Sequence, residues 1–213
     1  MLRFNRDLPT ALVPVILTAL LLLAIGYLLG SIPSGYLAGR WCKGIDLREL
    51  GSGSTGATNV LRQVGKGPAL VVFVIDVAKG AAAVLIAGSL LPGSDWIQVL
   101  AGLTALAGHI WPVWLGFKGG KAVATGLGMF LGLAWPVGLA CFGIFLTTLT
   151  LFRIVSLSSV VAAISLPLLM AAGTDGFAKV VVALVAMALV IWRHRSNLQR
   201  IVVGSEPKIG QKS

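Results

Sequence analysis

Charged residues are scarce in this sequence. They make up 11% of its 213 residues, whereas apolar residues make up 57% and the mean hydropathy is +0.94. A soluble domain carries about 25% charged residues, so water is not the main solvent of this chain. The short alternating segments of a membrane β-barrel are also lacking, and long apolar runs take their place. The composition therefore predicts an all-α integral membrane protein.

The residues of several common catalytic and metal sites are absent as well. The two cysteines, Cys42 and Cys141, fit neither a disulfide framework nor a metal-binding spacing. There is no Walker motif, and no pair of carboxylates suggests metal-assisted hydrolysis. Neither histidine begins an HxxxxD sequence, because Trp114 and Gln199 stand at the fifth position after them. We therefore expect no metal, no cofactor and no covalent enzyme intermediate.

About seven apolar segments are candidate membrane spans: 8–29, 68–91, 97–116, 122–134, 137–152, 157–172 and 177–192. Several are shorter than the roughly 20 residues that cross a bilayer, and Trp135-Pro136 either separates two spans or kinks one continuous helix. The first segment follows Arg3 and Arg6, but it is longer than the apolar core of a signal peptide, and no A-x-A cleavage site follows it. We interpret it as the first membrane helix. The chain, 1–213, is then one membrane domain whose polar end, 204–213, is a loose tail.

Basic residues are distributed unevenly over the loops. If the chain has seven spans and the 40–67 loop lies inside, thirteen Lys and Arg residues face the cytoplasm and three face the outside. The positive-inside rule then predicts an outside N-terminus and a cytoplasmic C-terminus. The net charge of +10 is explained by anionic lipid headgroups or an anionic substrate, without nucleic acid. The cytoplasmic set is Arg40, Lys43, Arg48, Arg62, Lys66, Lys118, Lys121, Arg153, Arg193, Arg195, Arg200, Lys208 and Lys212, and the outside set is Arg3, Arg6 and Lys179.

The first polar cluster is the loop 51–62, GSGSTGATNVLR, which lies between two apolar segments. Its glycines allow close backbone approach to a ligand, and N–H groups with one guanidinium match phosphate oxygens. Thr58, Asn59 and Arg62 are spaced by about one helical turn, so a short interfacial helix would direct all three at one ligand. The loop is therefore either an anion-binding cradle or a flexible connection.

The second cluster comprises GHIWP at 108–112 and FKGGK at 117–121. Gly119 and Gly120 open the next span, so free backbone N–H groups at a helix N-terminus would coincide with the Lys121 cation and hold a phosphate. Lys118 is interpreted as an interfacial lysine that extends its ammonium to the membrane surface. His109 either contacts a ligand or hydrogen-bonds a neighbouring turn.

The third cluster, RHRSNLQR at 193–200, follows the last span. His194 and Asn197 share a helical face and would both turn toward a site, although a basic tail is also a common topology anchor. Ser156, Ser158 and Ser159 follow Arg153 at the start of a span, where hydroxyls either cap the helix or bind an anion. Asp76 and Lys79 lie one turn apart inside a span, and we interpret them as a structural ion pair near the site.

In this order, GSGSTGATNVLR, GHIWPVWLGFKGGKAVAT and RHRSNLQRIVVGSEPK resemble the PlsY family, the bacterial acyl-phosphate:glycerol-3-phosphate acyltransferases. Further matches are GSIPSGYL at 30–37, DVAKG at 76–80 and RIVSLSS at 153–159, so the resemblance covers nearly the whole chain. Two departures from the family pattern are visible. Ser54-Thr55 stand where Asn-Pro is common, and Ala122 replaces a glycine after Lys121.

The resemblance implies a seven-helix enzyme of the bacterial inner membrane, with its active site facing the cytoplasm and no cofactor. The enzyme would transfer a fatty acyl group from acyl phosphate to the 1-hydroxyl of glycerol 3-phosphate. Its products would be lysophosphatidic acid and inorganic phosphate, the first step of phospholipid synthesis. Its partners would be the lipid bilayer and a soluble enzyme that forms acyl phosphate.

The resemblance also implies roles for individual residues. Ser52, Arg62 and Lys121 would bind phosphate, with either His194 or a substrate phosphate as the base. The pocket for glycerol 3-phosphate would include Thr58, Asn59, His194 and Asn197 as well. Acyl phosphate would meet Gly119, Gly120, Lys121, Ser158 and Ser159. From the residues alone, a transporter of a small phosphorylated metabolite and a lipid-binding regulatory protein are the alternatives.

Overall fold

The computed structural model describes residues 8–174 and 176–211, and within these ranges every regular element is helical. The all-α prediction is therefore confirmed for this part of the chain. A 3₁₀ turn covers Val113–Leu115. The helices are α1 Leu8–Ser31, α2 Ser34–Lys43, α3 Ala57–Gln63, α4 Lys66–Leu90, α5 Asp95–Ile110, α6 Val123–Leu133, α7 Trp135–Phe152, α8 Val155–Gly173, α9 Phe177–Arg193 and α10 Arg195–Val202.

Each of the seven predicted spans coincides with a helix, but the helices differ in their capacity to cross a membrane. Five helical segments are long and apolar enough to do so, namely Leu12–Lys43, Lys66–Leu90, Asp95–Leu115, Trp135–Phe152 and Val155–Gly173. Helices α9 and α10 reach this length only together, across a bend of 59°. Helix α6 has 11 residues, which at ~1.5 Å per residue extend over about half of the ~30 Å hydrocarbon core. The count of seven spans therefore stays a prediction.

Helices α6 and α7 are separate. The chain leaves helical geometry at Ala134, with φ −159° and ψ 83°. A Cβ atom on Gly138 would lie only 2.9 Å from the backbone nitrogen of Leu131, whereas residues seven apart in one helix are about 10 Å apart. The chain therefore reverses here, and a kinked continuous helix at Trp135-Pro136 is excluded.

Small residues allow the helices to pack closely. Gly80 and Gly128 bring α4 and α6 together, because a Cβ on either residue would overlap backbone atoms of the other helix. Gly30 does the same between α1 and α5, where its partner is Ala105. Such contacts are typical of membrane helices, which have no hydrophobic driving force for association in lipid and depend on close van der Waals packing. Helix α4 thereby holds α6 beside α5 and positions the turn that precedes α6.

The polar loops meet at one end of the bundle, as predicted. Arg48 donates to the carbonyl of Leu115 at 3.2 Å, and Arg193 donates to that of Gly120 at 2.9 Å. At the other end, Lys179 pairs with Asp95 at 3.8 Å. The relative positions of these loops agree with the predicted topology. Which end faces the cytoplasm stays a prediction. Three of the basic residues counted for that prediction, Arg3, Arg6 and Lys212, lie outside the described ranges.

The C-terminal segment is not a loose tail. Glu206 is buried, and Ile209 exchanges backbone and side-chain hydrogen bonds with Arg153 at 2.8 Å. The prediction that 204–213 is loose is therefore wrong for residues 205–209. The acidic side chain of Glu206 lies among basic residues and pairs with one of them, Arg200. Lys212 and Ser213 lie outside the described residues.

Ala122, which precedes α6, has a backbone conformation that is unfavourable for a residue with a side chain. It is buried and has φ 59°, in the left-handed region that favours glycine. We expect Ala122→Gly to raise the free energy of unfolding by about 1 kcal/mol, because an L-residue pays ~1–2 kcal/mol for this conformation. The measurement is a denaturant titration in detergent micelles. Ala124→Gly, in the adjacent helical turn, is the control and is expected to lower stability by about 0.5–1 kcal/mol. A loss of stability in Ala122→Gly would contradict the prediction.

Candidate active site

The first loop is organised by the buried side chain of Asn59 in α3. Its amide nitrogen donates to the carbonyls of Leu47, Leu50 and Ser54 at 3.1, 3.0 and 2.9 Å. Its Oδ1 accepts a hydrogen bond from the N–H of Ser52 at 3.3 Å. The predicted short helix is confirmed by α3. The amide of Asn59, however, holds the loop together, so it is not directed at a ligand as the spacing suggested.

Two charged residues that sequence reasoning missed attach this loop to the second cluster. Arg48 donates to Asp46 at 2.7 Å and, through its other guanidinium nitrogen, to the carbonyl of Leu115. The hydrogen bonds from Arg48 lower the pKa of Asp46 to about 2 in spite of its burial. The sequence did carry a signal for this pair, because Asp46 and Arg48 are opposite charges two residues apart in a chain with few charged residues.

The glycine turn differs from the prediction. The N–H of Gly119 donates to the carbonyl of Ile110 at 3.1 Å, and the N–H of Gly120 donates to that of His109 at 3.0 Å. The prediction that these N–H groups are free is therefore wrong. The glycines are needed for close approach, because a Cβ on Gly120 would overlap the His109 ring and one on Gly119 would overlap the His109 carbonyl. They let the turn lie directly on the end of α5.

A helix start with the geometry suited to an anion lies a few residues later. Helix α6 begins at Val123, and its first hydrogen bond from residue i to i−4 joins the Gly126 N–H to the Ala122 carbonyl. The N–H groups of the first turn therefore have no partner within the helix. Ala122, Val123 and Ala124 line the polar cavity described below. This turn, next to Lys121, takes the place that we predicted for Gly119 and Gly120.

The third cluster is held by the buried carboxylate of Glu206. Its Oε1 accepts hydrogen bonds from Ser156 at 2.7 Å and Asn197 at 2.6 Å, and its Oε2 accepts one from Arg200 at 2.7 Å. The Oδ1 of Asn197 in turn accepts a hydrogen bond from Lys121 Nζ. Burial raises the pKa of Glu206, but these hydrogen bonds outweigh it and lower the pKa below its ordinary value. Sequence reasoning missed this residue, although it is the one carboxylate in the basic segment 193–213.

Lys121 and His194 have depressed pKa values. Burial lowers the pKa of Lys121 to about 8, and although Glu206 opposes this shift, the neighbouring arginines add to it. Burial and the Lys121 cation lower the pKa of His194 to about 4, so its imidazole is neutral at pH 7. The Nδ1 of His194 lies 2.8 Å from the carbonyl of Val190. A carbonyl only accepts, so Nδ1 carries the proton and Nε2 keeps its lone pair.

The interpretation of Asp76 and Lys79 as a structural ion pair is confirmed. Lys79 Nζ lies 2.8 Å from Asp76 Oδ1, and both side chains are almost fully buried. Ser34 donates to the same carboxylate oxygen at 2.7 Å. The His109 ring contacts the pair from α5, with Nδ1 3.7 Å from Asp76 and 3.1 Å from the hydroxyl of Thr125. His109 therefore bonds a neighbouring turn of the bundle and also faces the cavity.

Residues of all three clusters line one polar cavity of about 780 Å³, a volume that includes its open mouth. Gly119 and Gly120 do not line it. Ser158 is also absent from its wall, since it is fully buried and its hydroxyl donates to the carbonyl of Ile154. Ser156 and Ser159 are the serines of α8 that face the cavity. The predicted site residues that line it are Ser52, Thr58, Asn59, Arg62, Lys121, Ser159, His194 and Asn197.

A second cavity of about 790 Å³ lies among α6, α7, α8 and α9, and its wall is almost entirely apolar. Deep in the bundle it is bounded by Phe130 and Leu166, which are themselves buried. The two cavities share a border that includes Lys121, the first turn of α6 and Ser159. The site therefore joins a cationic, hydrogen-bonding chamber to an apolar one.

The comparison with known proteins agrees with this geometry. The model of the family described as glycerol-3-phosphate acyltransferase matches residues 20–204. The chain belongs to this family. The glycerol-3-phosphate acyltransferase of Parasynechococcus marenigrum (strain WH8102) is 75% identical over the full length of both chains. That of Prochlorococcus marinus (strain MIT 9313) is 70% identical over 91% of this chain and 96% of its own.

Two crystal structures of PlsY, an integral membrane glycerol 3-phosphate acyltransferase, share the fold. The glycerol 3-phosphate form aligns with a TM-score of 0.87 at 40% identity, and the lysophosphatidic acid form with 0.84 at 39%. Both alignments cover 91% of this chain and 96% of PlsY. Membership of the PlsY family confirms the resemblance seen in the motifs, and it favours an acyltransferase over the transporter and the lipid-binding protein.

The pKa of Lys121 predicts how anion binding depends on pH. The ammonium is charged below about pH 8 and neutral above it, so we expect sulfate to bind more weakly as the pH rises through 8. Sulfate is suitable because its own charge does not change in this range. The measurement is calorimetric titration between pH 6.5 and 9.5. In Lys121→Arg the guanidinium stays charged, so affinity should persist to pH 9.5, and a parallel decline in both proteins would contradict the assignment.

Proposed function

We propose that this protein transfers a fatty acyl group from acyl phosphate to the 1-hydroxyl of sn-glycerol 3-phosphate and forms lysophosphatidic acid. The hydroxyl oxygen bonds to the acyl carbon, the bond from that carbon to the phosphate oxygen breaks, and the hydroxyl proton leaves on inorganic phosphate. Acyl phosphate is an activated mixed anhydride, so catalysis requires positioning and charge neutralisation without a covalent acyl-enzyme.

The meeting of the two cavities is the observation that carries this proposal. Both substrates are phosphorylated, and one of them has a long apolar chain. The polar cavity has the cations and hydrogen-bonding groups for phosphates, and the apolar cavity suits the acyl chain. Their common border at Lys121 and Ser159 is where the acyl carbon would react. A site for a small polar metabolite alone would not need the apolar chamber.

Arg62 and Lys121 would offset the repulsion between the two phosphates. They come from different parts of the chain, α3 and the turn before α6, and both line the polar cavity. We assign acyl phosphate to the border, against Lys121, the first turn of α6 and Ser159. Glycerol 3-phosphate then occupies the polar side with Ser52, Thr58, Arg62, His194 and Asn197. Asn59 supports this pocket by holding the loop that carries Ser52.

The proton of the attacking hydroxyl goes to a substrate phosphate in this proposal. With a pKa of about 4, His194 is a weak base. Its unprotonated Nε2 can nevertheless accept a hydrogen bond from the 1-hydroxyl and direct the oxygen toward the acyl carbon. The departing phosphate is the stronger base, and its basicity increases as the bond to carbon breaks. His194 thus orients the nucleophile and the phosphate receives the proton.

We assign the protein to the bacterial inner membrane, with the site facing the cytoplasm. The excess of Lys and Arg residues at the site end supports this orientation. Glycerol 3-phosphate would enter from water, whereas the acyl chain would enter laterally from lipid. A soluble enzyme that forms acyl phosphate would supply the donor on the same side.

The proposal predicts that the purified protein releases phosphate from acyl phosphate only when glycerol 3-phosphate is present, with one lysophosphatidic acid formed per phosphate. Arg62→Ala and Lys121→Ala should each lower kcat/KM by about 100-fold or more, because each removes a charge that stabilises the transition state. Lys118→Ala, which removes an exposed lysine of the same turn, is the control and should stay within about twofold.

Product is measured by chromatography, and folding by thermal unfolding. Absence of lysophosphatidic acid above a protein-free control would contradict the acyltransferase. Uptake of glycerol 3-phosphate into sealed vesicles without product would support the transporter instead. Near-normal activity in both alanine variants would remove Arg62 and Lys121 from the site.

Filling the apolar cavity tests its assignment to the acyl chain. Ala163 lines this cavity, whereas the next residue, Ile164, is 50% exposed on the outer surface of the same helix. We expect Ala163→Phe to lower kcat/KM for a long-chain acyl phosphate about tenfold while the KM for glycerol 3-phosphate stays constant, because crowding a packed cavity costs ~1–3 kcal/mol. Ile164→Phe is the control. Equal acyl-chain kinetics in the two variants would place the acyl chain elsewhere.

A further inference from the structure

The C-terminal strap, defined as residues 205–209, lies between two glycines with left-handed backbone. Gly204 has φ 72° and Gly210 has φ 80°. Such residues let the chain change direction at both ends of the strap. Between them, Glu206 enters the polar cavity, and the carbonyl of Pro207 accepts a hydrogen bond from Arg62 at 3.3 Å. The strap therefore contacts the site through Glu206 and Pro207.

Arg153 holds the far end of the strap with two hydrogen bonds. Its guanidinium donates to the carbonyl of Ile209 at 2.8 Å, and its own carbonyl accepts from the N–H of Ile209 at 2.8 Å. Arg153 has φ 60°, a conformation unfavourable for a residue with a side chain. A Cβ atom on Gly210 would come within 2.9 Å of the guanidinium, so glycine leaves room for it there.

The near end of the strap is attached to the same part of α8. Ser156, three residues after Arg153, donates to Glu206 at 2.7 Å. The connection from α7 to α8 and the first turn of α8 therefore hold the strap at two points, Arg153 at Ile209 and Ser156 at Glu206. Two attachments fix the direction of the segment between them, which a single hydrogen bond does not.

From the strap, a chain of hydrogen bonds reaches Lys121. Glu206 accepts from Asn197 at 2.6 Å, and Asn197 accepts from Lys121. We propose that Arg153 is a positioning residue: by anchoring Ile209 it holds Glu206 in place, and Glu206 fixes the Asn197 and Lys121 side chains that bind substrate. This role rests on the proposed acyltransferase function. Arg153 itself does not line either cavity.

The test uses the full-length protein in detergent. Arg153→Gly removes the guanidinium, and glycine accommodates the left-handed backbone, so thermal stability should stay at or above the wild-type value. Ile209→Pro removes the other hydrogen bond from the strap and leaves α8 unchanged. Each variant should lower kcat/KM for glycerol 3-phosphate about tenfold, mostly through KM, which is the effect of one lost hydrogen bond. The double variant should be no worse than either single one, because both break the same attachment.

Hydrogen–deuterium exchange of the 205–211 peptide measures the attachment without depending on activity. The wild-type strap should be protected, and Arg153→Gly should exchange at least about tenfold faster. Arg195→Ala is the matched control, because this exposed arginine packs on Trp192 and none of the hydrogen bonds of the described strap comes from it. It should keep wild-type kinetics and exchange.

Three results would overturn the proposal. A wild-type strap that exchanges as fast as the variant is not anchored, whatever the activity. A strap that is released in Arg153→Gly while KM and kcat stay within twofold of wild type has no positioning role. A protein that makes no lysophosphatidic acid refutes the proposed function and the positioning role with it, and the exchange data then still show whether Arg153 anchors the strap.

Discussion

The carboxylate of Glu206 accepts hydrogen bonds from three side chains on two helices, Ser156 of α8 and Asn197 and Arg200 of α10. A buried charge in an apolar bundle is tolerated only when it is paired and hydrogen-bonded, and Ser156, Asn197 and Arg200 meet this requirement. Because Asn197 also accepts from Lys121, satisfying one carboxylate fixes the position of a cation that lines the cavity. The site thus depends on Glu206 for its geometry, although Glu206 itself has the wrong charge to bind a phosphate.

Charge balance in the site follows from this arrangement. Glu206 is paired with Arg200, and Asp76 with Lys79. Among the described residues that line the polar cavity, Arg62 and Lys121 are the cations left to pair with the proposed substrates. The depressed pKa of Lys121 reflects the cost of keeping an ammonium in a buried, electropositive chamber. A bound phosphate would reverse that cost, since it supplies the opposite charge. Such a site therefore favours an anionic ligand, in agreement with the two phosphorylated substrates that we propose.

The residues with predicted roles show how far local patterns reach. Arg62, Lys121, His194 and Asn197 line the cavity as their motifs indicated. Asn59 fits the helical spacing equally well, yet its amide bonds loop carbonyls. Gly119 and Gly120 have the composition of a phosphate loop, yet their N–H groups bond the end of α5. The spacing of residues in a sequence shows which side chains share a helical face. It does not show whether backbone carbonyls from elsewhere in the chain accept hydrogen bonds from those groups.

The sequence alone determined that this is a membrane protein, that it is helical and that it has three polar clusters. It could do so because hydropathy, periodicity and composition are local properties of a chain. The motifs also identified the family. Only the tertiary structure decided that Glu206 lines the cavity, that Arg153 bonds Ile209 of the C-terminal segment, and that Ser156 and Ser159 rather than Ser158 face the cavity. Each of these depends on contacts between residues far apart in the chain. Such contacts are set by how the helices pack, which no short segment encodes.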